Sequence, residues 1–428
     1  VEFNISGGYQ YNTKVEEKTG YTRIAEMYTD SFKVTMNVTN GTTDAVSKTT
    51  TFNGSTTFTI TPNEGYTLEE AEVNCTGGTL TNNIITINNI RKNITCEIIL
   101  QEDGPFKSGT LAAQILIDNP TISERTDFSV TNTATTTGTL FTSTESITGI
   151  TSTPVNVYYY AGNTTNNWVK FGGFYWRIIR TNHDGSIRLL YVGTSHDTTT
   201  GNIGKIAINT SSSSPKYVGY KYGEDTSLNT IRNNTTDSTI KTYIDTWYQN
   251  NLTNYTKYLS TSAVYCNDRS EETEGSYTTS NTEFYFASNK RLYTDKTPTY
   301  NCSDIRDAFS VENTSAQLSY PIALMTADEV SFAGGTAGYA NMSTPYAWFI
   351  SNSSGTQVSN GWSLSPFRWY GGNAREWLWF PDEAALGGVD VNNTLAVRPV
   401  ISLSSCVKVT GHGTADDPYV VDYENSCK

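Results

Sequence analysis

The chain has 428 residues, which allows two or three domains that each bury a core. Its formal net charge is −13 and no basic stripe offsets it, which disfavours binding to nucleic acid or to an anionic membrane surface. Only 17% of the residues are charged whereas tyrosine occurs 28 times, a composition that favours strands joined by Asn/Gly turns over helical bundles.

The N-terminal quarter of the chain reads as a small all-β module. Residues 1–30 are predicted to form a strand or a connector. From 31 to 103, runs such as "FKVTMNV", "STTFTITP" and "IITINNI" alternate between turn pairs such as Asn40-Gly41, which predicts an Ig-like sandwich or a β-grasp module. The stretch "FTITPNEGYTLEEAEVNCTGGTL" resembles the internalin-B-repeat modules of Gram-positive surface proteins. That resemblance implies a spacer.

Residues 104–428 are predicted to form one α+β domain with few short helices, so the fold class is mainly β / α+β. A helix in "TLAAQILIDN" should end before Pro120. "NWVKFGGFYWRIIRT" and "GSIRLLYVG" predict a hairpin around His183–Ser186. "DSTIKTYIDTWYQNNL" is the clearest helix, with Asp237 or Ser238 as its N-cap, and Thr326 with Glu329 fits the capping box of another.

The cysteines fall into three well-separated pairs of sequence neighbours. Six cysteines permit 15 sets of three disulfides. None of the six cysteines lies in a CxxC motif. The first and last pairs each bracket a strand–turn–strand pattern, so the predicted bridges join these neighbours, which implies an oxidising, extracellular setting. The predicted disulfides are Cys75–Cys96, Cys266–Cys302 and Cys406–Cys427.

No catalytic constellation stands out, and the chain is predicted not to be an enzyme. The GxSxG and HExxH motifs and the phosphate-binding glycine loops are absent from the sequence, and no cofactor is expected. Asp390 and the asparagines after it could offer oxygens to calcium, but calcium sites usually gather more carboxylates, so no metal is expected. No run of about 18 apolar residues predicts a membrane span.

An aromatic segment, residues 362–380, holds four of the eight tryptophans and is followed by further glycines. Trp362 and Trp377 are expected to pack in the core. Because so many rings cannot all face one interior from a glycine-rich loop, part of the segment is predicted to be an exposed recognition surface. The predicted ligand contacts are Arg368, Trp369, Tyr370, Asn373, Arg375, Trp379, Phe380, Asp382, Asp390 and Asn392.

Several stretches resemble the C-type-lectin-like domain of gut-bacterial surface proteins: "GGFYWRIIRTNHDGSIRLLY", "YPIALMTADEVSFAGG" and "LAVRPVISL". "GGNAREW" followed by "VRPV" is similar to elements of the formylglycine-generating-enzyme type of that fold. Some members are the variable proteins of diversity-generating retroelements. The resemblance implies a conserved framework with a variable ligand-binding face over residues 368–393.

These observations predict an extracellular or cell-surface adhesin, or receptor-binding protein, whose partner is a protein or glycan on another cell, phage or host surface. The alternative is a structural subunit of a pilus or surface assembly that uses the same face for self-association. Neither hypothesis involves nucleic acid or membrane insertion.

Overall fold

The computed structural model describes residues 11–18, 21–28, 31–63, 66–102, 106–107, 109–128, 139–338, 347–382 and 385–427. It divides into two compact units, Val1–Lys107 and Ser108–Lys428. The sequence predicted a division near residue 104.

The described part of the first unit consists of strands and contains no helix. Its strands are β1 (Tyr11–Lys18), β2 (Tyr21–Tyr28), β3 (Phe32–Thr39), β4 (Gly41–Thr43), β5 (Ser47–Thr50), β6 (Gly54–Pro62), β7 (Tyr66–Asn74), β8 (Gly78–Thr81), β9 (Ile84–Ile90) and β10 (Ile94–Glu102). The region that was expected to be a strand or connector thus contains the antiparallel pair β1–β2.

Two four-stranded sheets, in the orders β5-β3-β10-β7 and β4-β6-β9-β8, form a sandwich in this unit. Inward residues of both sheets meet in one buried cluster, which includes Val34 of β3, Ile98 of β10, Phe58 of β6 and Ile87 of β9. Alternation along the strands sends every second side chain into that cluster. Strands β3 to β10 of this unit are therefore arranged as two packed β-sheets.

The second unit is also mainly β. Its described strands are β11 (Thr121–Glu124), β12 (Thr139–Glu145), β13 (Val155–Tyr159), β14 (Trp168–Phe171), β15 (Phe174–Thr181), β16 (Ile187–Gly193), β17 (Lys205–Ile206), β18 (Lys221–Tyr222), β19 (Thr236–Asp237), β20 (Tyr265–Cys266), β21 (Phe284–Tyr285), β22 (Ala308–Phe309), β23 (Ile322–Leu324), β24 (Thr336–Ala337), β25 (Gly361–Tyr370), β26 (Asn373–Phe380), β27 (Ala385–Asp390), β28 (Leu395–Ala396), β29 (Pro399–Leu403), β30 (Val409–Thr410) and β31 (Tyr419–Val421).

The described helices of this unit are few and short, as predicted. They are α1 (Leu111–Asp118), α2 (Leu228–Ile231), α3 (Thr239–Asn251), α4 (Ala287–Asn289) and α5 (Ala327–Phe332), with 3₁₀ turns at Pro215–Val218, Thr253–Tyr258 and Trp348–Ile350 and a π turn at Lys290–Thr294. Helix α1 ends before Pro120, Ser238 caps α3, and Thr326 and Glu329 form the capping box of α5. No helix in the described ranges is both long and apolar enough to cross a membrane.

Two sheets position the candidate site. The larger has ten strands around β15 and β16, which form the predicted antiparallel hairpin, and every residue of β16 is buried. A strand that is buried along its whole length has both faces of its sheet covered. The smaller sheet has the order β21-β25-β26-β27-β24 and contains the whole aromatic segment.

All three predicted disulfides are confirmed. Cys75–Cys96 lies in the first unit, and Cys266–Cys302 and Cys406–Cys427 lie in the second, so no bridge crosses between the units. Bridges of this kind persist in oxidising compartments, which fits a non-cytoplasmic protein.

Candidate functional site

The aromatic segment forms a paired hairpin, with two register shifts along β25, and not the irregular loop that its glycines suggested. Strands β25 and β26 are antiparallel, and Tyr370 pairs with Asn373 across the two-residue turn Gly371-Gly372. Both turn glycines have positive φ, 56° and 78°. Such turns match the twist of paired strands, and glycine adopts them without a Cβ clash. These two glycines therefore set the register of the hairpin.

The prediction that Trp369 and Trp379 are exposed contacts is wrong. Their exposed fractions are 1% and 0%, and Trp362 and Trp377, which were expected to be buried, are both at 0%. Distant parts of the chain cover both faces of the hairpin. The indole of Trp369 donates to the Ser280 carbonyl at 2.5 Å, and that of Trp377 donates to Ser288 Oγ at 3.0 Å. Alternation in one strand shows two faces but cannot show that both are covered.

Glycines of neighbouring strands make room for the rings. A Cβ added to Gly361 would lie 2.0 Å from Cζ2 of Trp379, and one added to Gly388 would lie 1.8 Å from Cδ1 of Phe367. Gly361 pairs directly with Trp379 in the sheet. Aromatic rings that lie over strand glycines recover the packing that glycine lacks. The coincidence of glycine and tryptophan in the sequence is therefore a packing device.

One aromatic side chain at the hairpin turn remains exposed. Tyr370 is 44% exposed. The guanidinium carbons of Arg368 and Arg375 lie 4.3 Å and 5.3 Å from the centre of its ring. Both distances are within the range of cation–π attraction. We call Arg368, Tyr370 and Arg375 the tip cluster.

Acidic and hydroxyl groups hold the two arginines of the tip cluster in place. Arg368 Nη1 donates to Glu283 Oε1 at 3.0 Å and to the Tyr285 hydroxyl at 3.1 Å. Arg375 Nε donates to Asp390 Oδ1 at 2.6 Å. The cluster therefore presents an aromatic ring between two cations whose directions are fixed.

The structure brings five of the ten predicted contacts together. Arg368, Tyr370, Asn373, Arg375 and Asp390 come together at the turn, because Arg375 pairs with Asp390 between β26 and β27.

Three predicted contacts lie elsewhere. Asn392 is exposed in the turn that follows β27. Half-buried Phe380 and exposed Asp382 lie at the far end of β26, about 20 Å away at some 3.3 Å per residue.

Sequence reasoning missed Tyr285 of β21 and Glu283, the residue before that strand. This strand pairs with β25, so that Tyr285 lies opposite Arg368. A signal was present in "EFYF", because its two phenylalanines are buried and the residues between and before them are not. That alternation predicts a strand with one polar face but does not name its partner.

Glu376 lies in the middle of β26 and is only 1% exposed. Among the described residues its Oε2 has no hydrogen-bond partner. Burial raises the pKa of this carboxyl well above its ordinary value, and the charge of Arg269 opposes that rise only in part. Folding therefore shifts Glu376 towards its protonated form.

Replacing Glu376 with glutamine is expected to raise the melting temperature at pH 8 and to leave it unchanged at pH 4. A carboxyl whose pKa rises on folding loses stability as pH climbs from the unfolded value towards the folded one. The gain at pH 8 equals the stability that the wild type loses when its buried carboxyl is deprotonated, a reaction that glutamine does not undergo. Melting of Glu376→Gln from pH 4 to 8 measures it, with exposed Glu424→Gln as the control. An equal loss of stability at every pH would contradict the assignment.

A buried ion network connects β15 and β16 with α5. Arg180 Nε and Arg188 Nη1 donate to the same oxygen of Glu329 at 2.9 Å and 2.7 Å, and Arg180 also pairs with Glu145 at 2.8 Å. These guanidinium charges hold the pKa of Glu145 and that of Glu329 below their ordinary values, against the opposing effect of burial. The adjoining cavity measures about 20 Å³, room for about one water. These ion pairs join β12, β15, β16 and α5 in the interior of the second unit.

In the described part of the chain, no three His, Cys, Asp or Glu side chains come together in a way that could hold a metal ion. Asp390, the residue considered for calcium, is ion-paired with Arg375.

Comparisons with protein-family models, with curated proteins and with solved structures give no match.

Proposed function

We propose that the chain is an extracellular adhesin or receptor-binding protein that contacts its partner, a protein or a glycan, through the tip cluster. One observation carries this proposal: an exposed tyrosine between two arginines that acidic side chains already hold in place. Tyrosine and arginine dominate binding hot spots because they offer a large contact area for little lost entropy.

Two further features support the proposal. Three disulfides fit a chain that works outside the cytoplasm. The resemblance to C-type-lectin-like domains implies ligand binding over residues 368–393, a range that includes all three residues of the tip cluster. Within that range the tip cluster is the part where aromatic and cationic groups reach the surface together.

The alternative, a structural subunit of a pilus or surface assembly, also has an observation in its favour. The cluster with its neighbours carries two arginines and two acids, Glu283 and Asp390, on one patch. A patch that carries both charges can pair with a copy of itself around a twofold axis.

Solution mass separates the two functions. The adhesin proposal predicts a monodisperse monomer of 47.2 kDa by light scattering over a wide concentration range. Assembly through the tip cluster predicts oligomers, and the Tyr370→Ala variant should be monomeric. Exposed Lys257→Ala serves as the control. Oligomers that depend on Tyr370 would contradict the adhesin proposal.

A further inference from the structure

A cleft of about 370 Å³ lies away from the aromatic hairpin, within the size range of small-ligand sites. Its floor holds Trp168 at the start of β14, Arg177 of β15 and Trp348 of a 3₁₀ turn. Its rim comes from the loop before β14, the loop after Trp348 and the turn around Asp416.

Arg177 is the most informative residue of the floor. It is 4% exposed, and its guanidinium carbon lies 4.2 Å from the ring centre of Trp168 and 5.6 Å from that of Trp348. Its Nε donates to Asn167 Oδ1, and its Nη2 donates to the Thr164 carbonyl at 2.9 Å. Within the described ranges, Nη1 has no hydrogen-bond acceptor. One edge of a rigidly held guanidinium thus remains free in the cleft.

The charge of Arg177 is also uncompensated. The other buried arginines of β15 and β16, Arg180 and Arg188, reach carboxylates. In the part of the chain that the structure describes, no carboxylate lies within 4.0 Å of Arg177.

Arg398, a second buried arginine, adds to this positive charge. It donates to the carbonyls of Tyr191 and Phe349. Burial and the charge of Arg398 lower the pKa of Arg177 to about 9. In the described ranges the hydrogen bonds of Arg398 go to backbone carbonyls and not to a carboxylate. A buried charge is costly until it is paired, so the guanidinium of Arg177, which lines the cleft, favours an anion there.

The rim indicates what kind of anion fits. Asn163, Thr165 and Ser353 are exposed around the opening, and these neutral hydroxyl and amide groups suit the hydroxyls of a sugar. Exposed Asp416 also borders the cleft. It can accept hydrogen bonds from hydroxyls but would repel a multiply charged phosphate.

We propose that this cleft binds an acidic monosaccharide unit, of the uronic or sialic acid type, with its carboxylate against the Nη1 edge of Arg177. A planar carboxylate matches the fork of donors on a guanidinium. This site is separate from the tip cluster and does not depend on the function proposed for it.

The test is isothermal titration of the full chain with glucuronic acid and with N-acetylneuraminic acid, beside glucose and inorganic phosphate. We expect at least one of the acidic sugars to bind with a dissociation constant of about 1 mM, ordinary for a ligand of this size. Glucose should bind at least tenfold more weakly, because it has no carboxylate. Phosphate should also bind at least tenfold more weakly, because Asp416 disfavours it.

Two variants locate the binding. Arg177→Gln should weaken it at least tenfold, and Ala415→Trp, which places a large side chain in the cleft and leaves Arg177 unchanged in sequence, should abolish it. Lys257→Gln removes an exposed cation elsewhere and should bind as the wild type does. If Arg177→Gln does not fold, Ala415→Trp decides the question. The proposal would be overturned if neither acidic sugar gave a heat of binding, or if glucose or phosphate bound as tightly as the acidic sugars. It would also be overturned if folded Ala415→Trp bound an acidic sugar as tightly as the wild type does.

Discussion

Replacing Trp369, Trp377 or Trp379 by alanine is expected to destabilise the second unit by about 3–5 kcal/mol in each case, the usual cost of removing a buried aromatic ring. Each ring is at most 1% exposed. The ring centre of Phe349 lies 6.0 Å from that of Trp379. The guanidinium carbon of Arg398 lies 5.9 Å from the centre of the same indole. Gly361 lies directly beneath the same ring. Because glycine has no side chain, Gly361 cannot fill the cavity that Trp379→Ala would leave.

Tyr370→Ala is the matched control for this series, because it removes a ring from the same hairpin that is 44% exposed. It should cost about 1 kcal/mol or less, mainly from the lost stacking with the two arginines. Thermal melting of the four variants side by side measures the contrast. If Trp369→Ala or Trp379→Ala had the same melting temperature as Tyr370→Ala, the replaced tryptophan would lie at the surface. That result would contradict the buried arrangement.

Glu329→Gln is expected to cost about 3–5 kcal/mol, because removing one partner of a buried ion pair leaves a charge uncompensated. Glu329 is 1% exposed and is the carboxylate that Arg188 reaches, at 2.7 Å. In the wild type the Thr326 backbone N–H donates to Glu329 Oε2, with 3.0 Å between N and O. Glutamine has nearly the same shape as glutamate and keeps an oxygen that can accept this hydrogen bond. The stability lost in Glu329→Gln therefore measures the effect of removing the negative charge and not the effect of losing the helix cap.

The effect of Glu329→Gln should depend on pH. The pKa of Glu329 is lowered in the folded chain. Its contribution is therefore present above the ordinary carboxyl pKa and is lost as pH falls through the folded value. Denaturant unfolding at pH 7 and at pH 3 should show the gap between wild type and variant narrowing in acid.

Arg306→Gln is the control, since its pair with Asp304 is 33% and 19% exposed and should contribute about 1 kcal/mol or less. Equal losses for the buried pair and for this pair would contradict the account of the network.

Local patterns predicted the local structure well. Turn residues and alternation predicted the β15–β16 hairpin, and capping residues predicted α3 and α5. These features depend on neighbours within a few positions, so the sequence contains what determines them. The pairing of sequence-neighbouring cysteines also predicted all three bridges, which close spans of 21, 36 and 21 residues.

The candidate site was predicted less well because its surroundings are non-local. Ser280 and Ser288 cover two of the tryptophans from about 90 positions away in sequence. Glu283 reaches the tip cluster in the same way. The glycines of the sequence predict a partly exposed loop, whereas Gly361 and Gly388 lie in strands, with aromatic rings packed against them. No periodicity within the segment could distinguish these two uses of glycine.

The central claim is that the tip cluster, and not the aromatic core beneath it, is the recognition surface. Binding of the labelled chain to a panel of intact epithelial and bacterial cells tests it most directly. Arg368→Ala, Tyr370→Ala and Arg375→Ala combined should weaken binding at least tenfold, an effect typical of a lost hot spot of about 2 kcal/mol. Phe380→Ala with Asp382→Ala, at the other end of β26, should change binding little. If the folded triple variant bound as the wild type does, the claim would be contradicted.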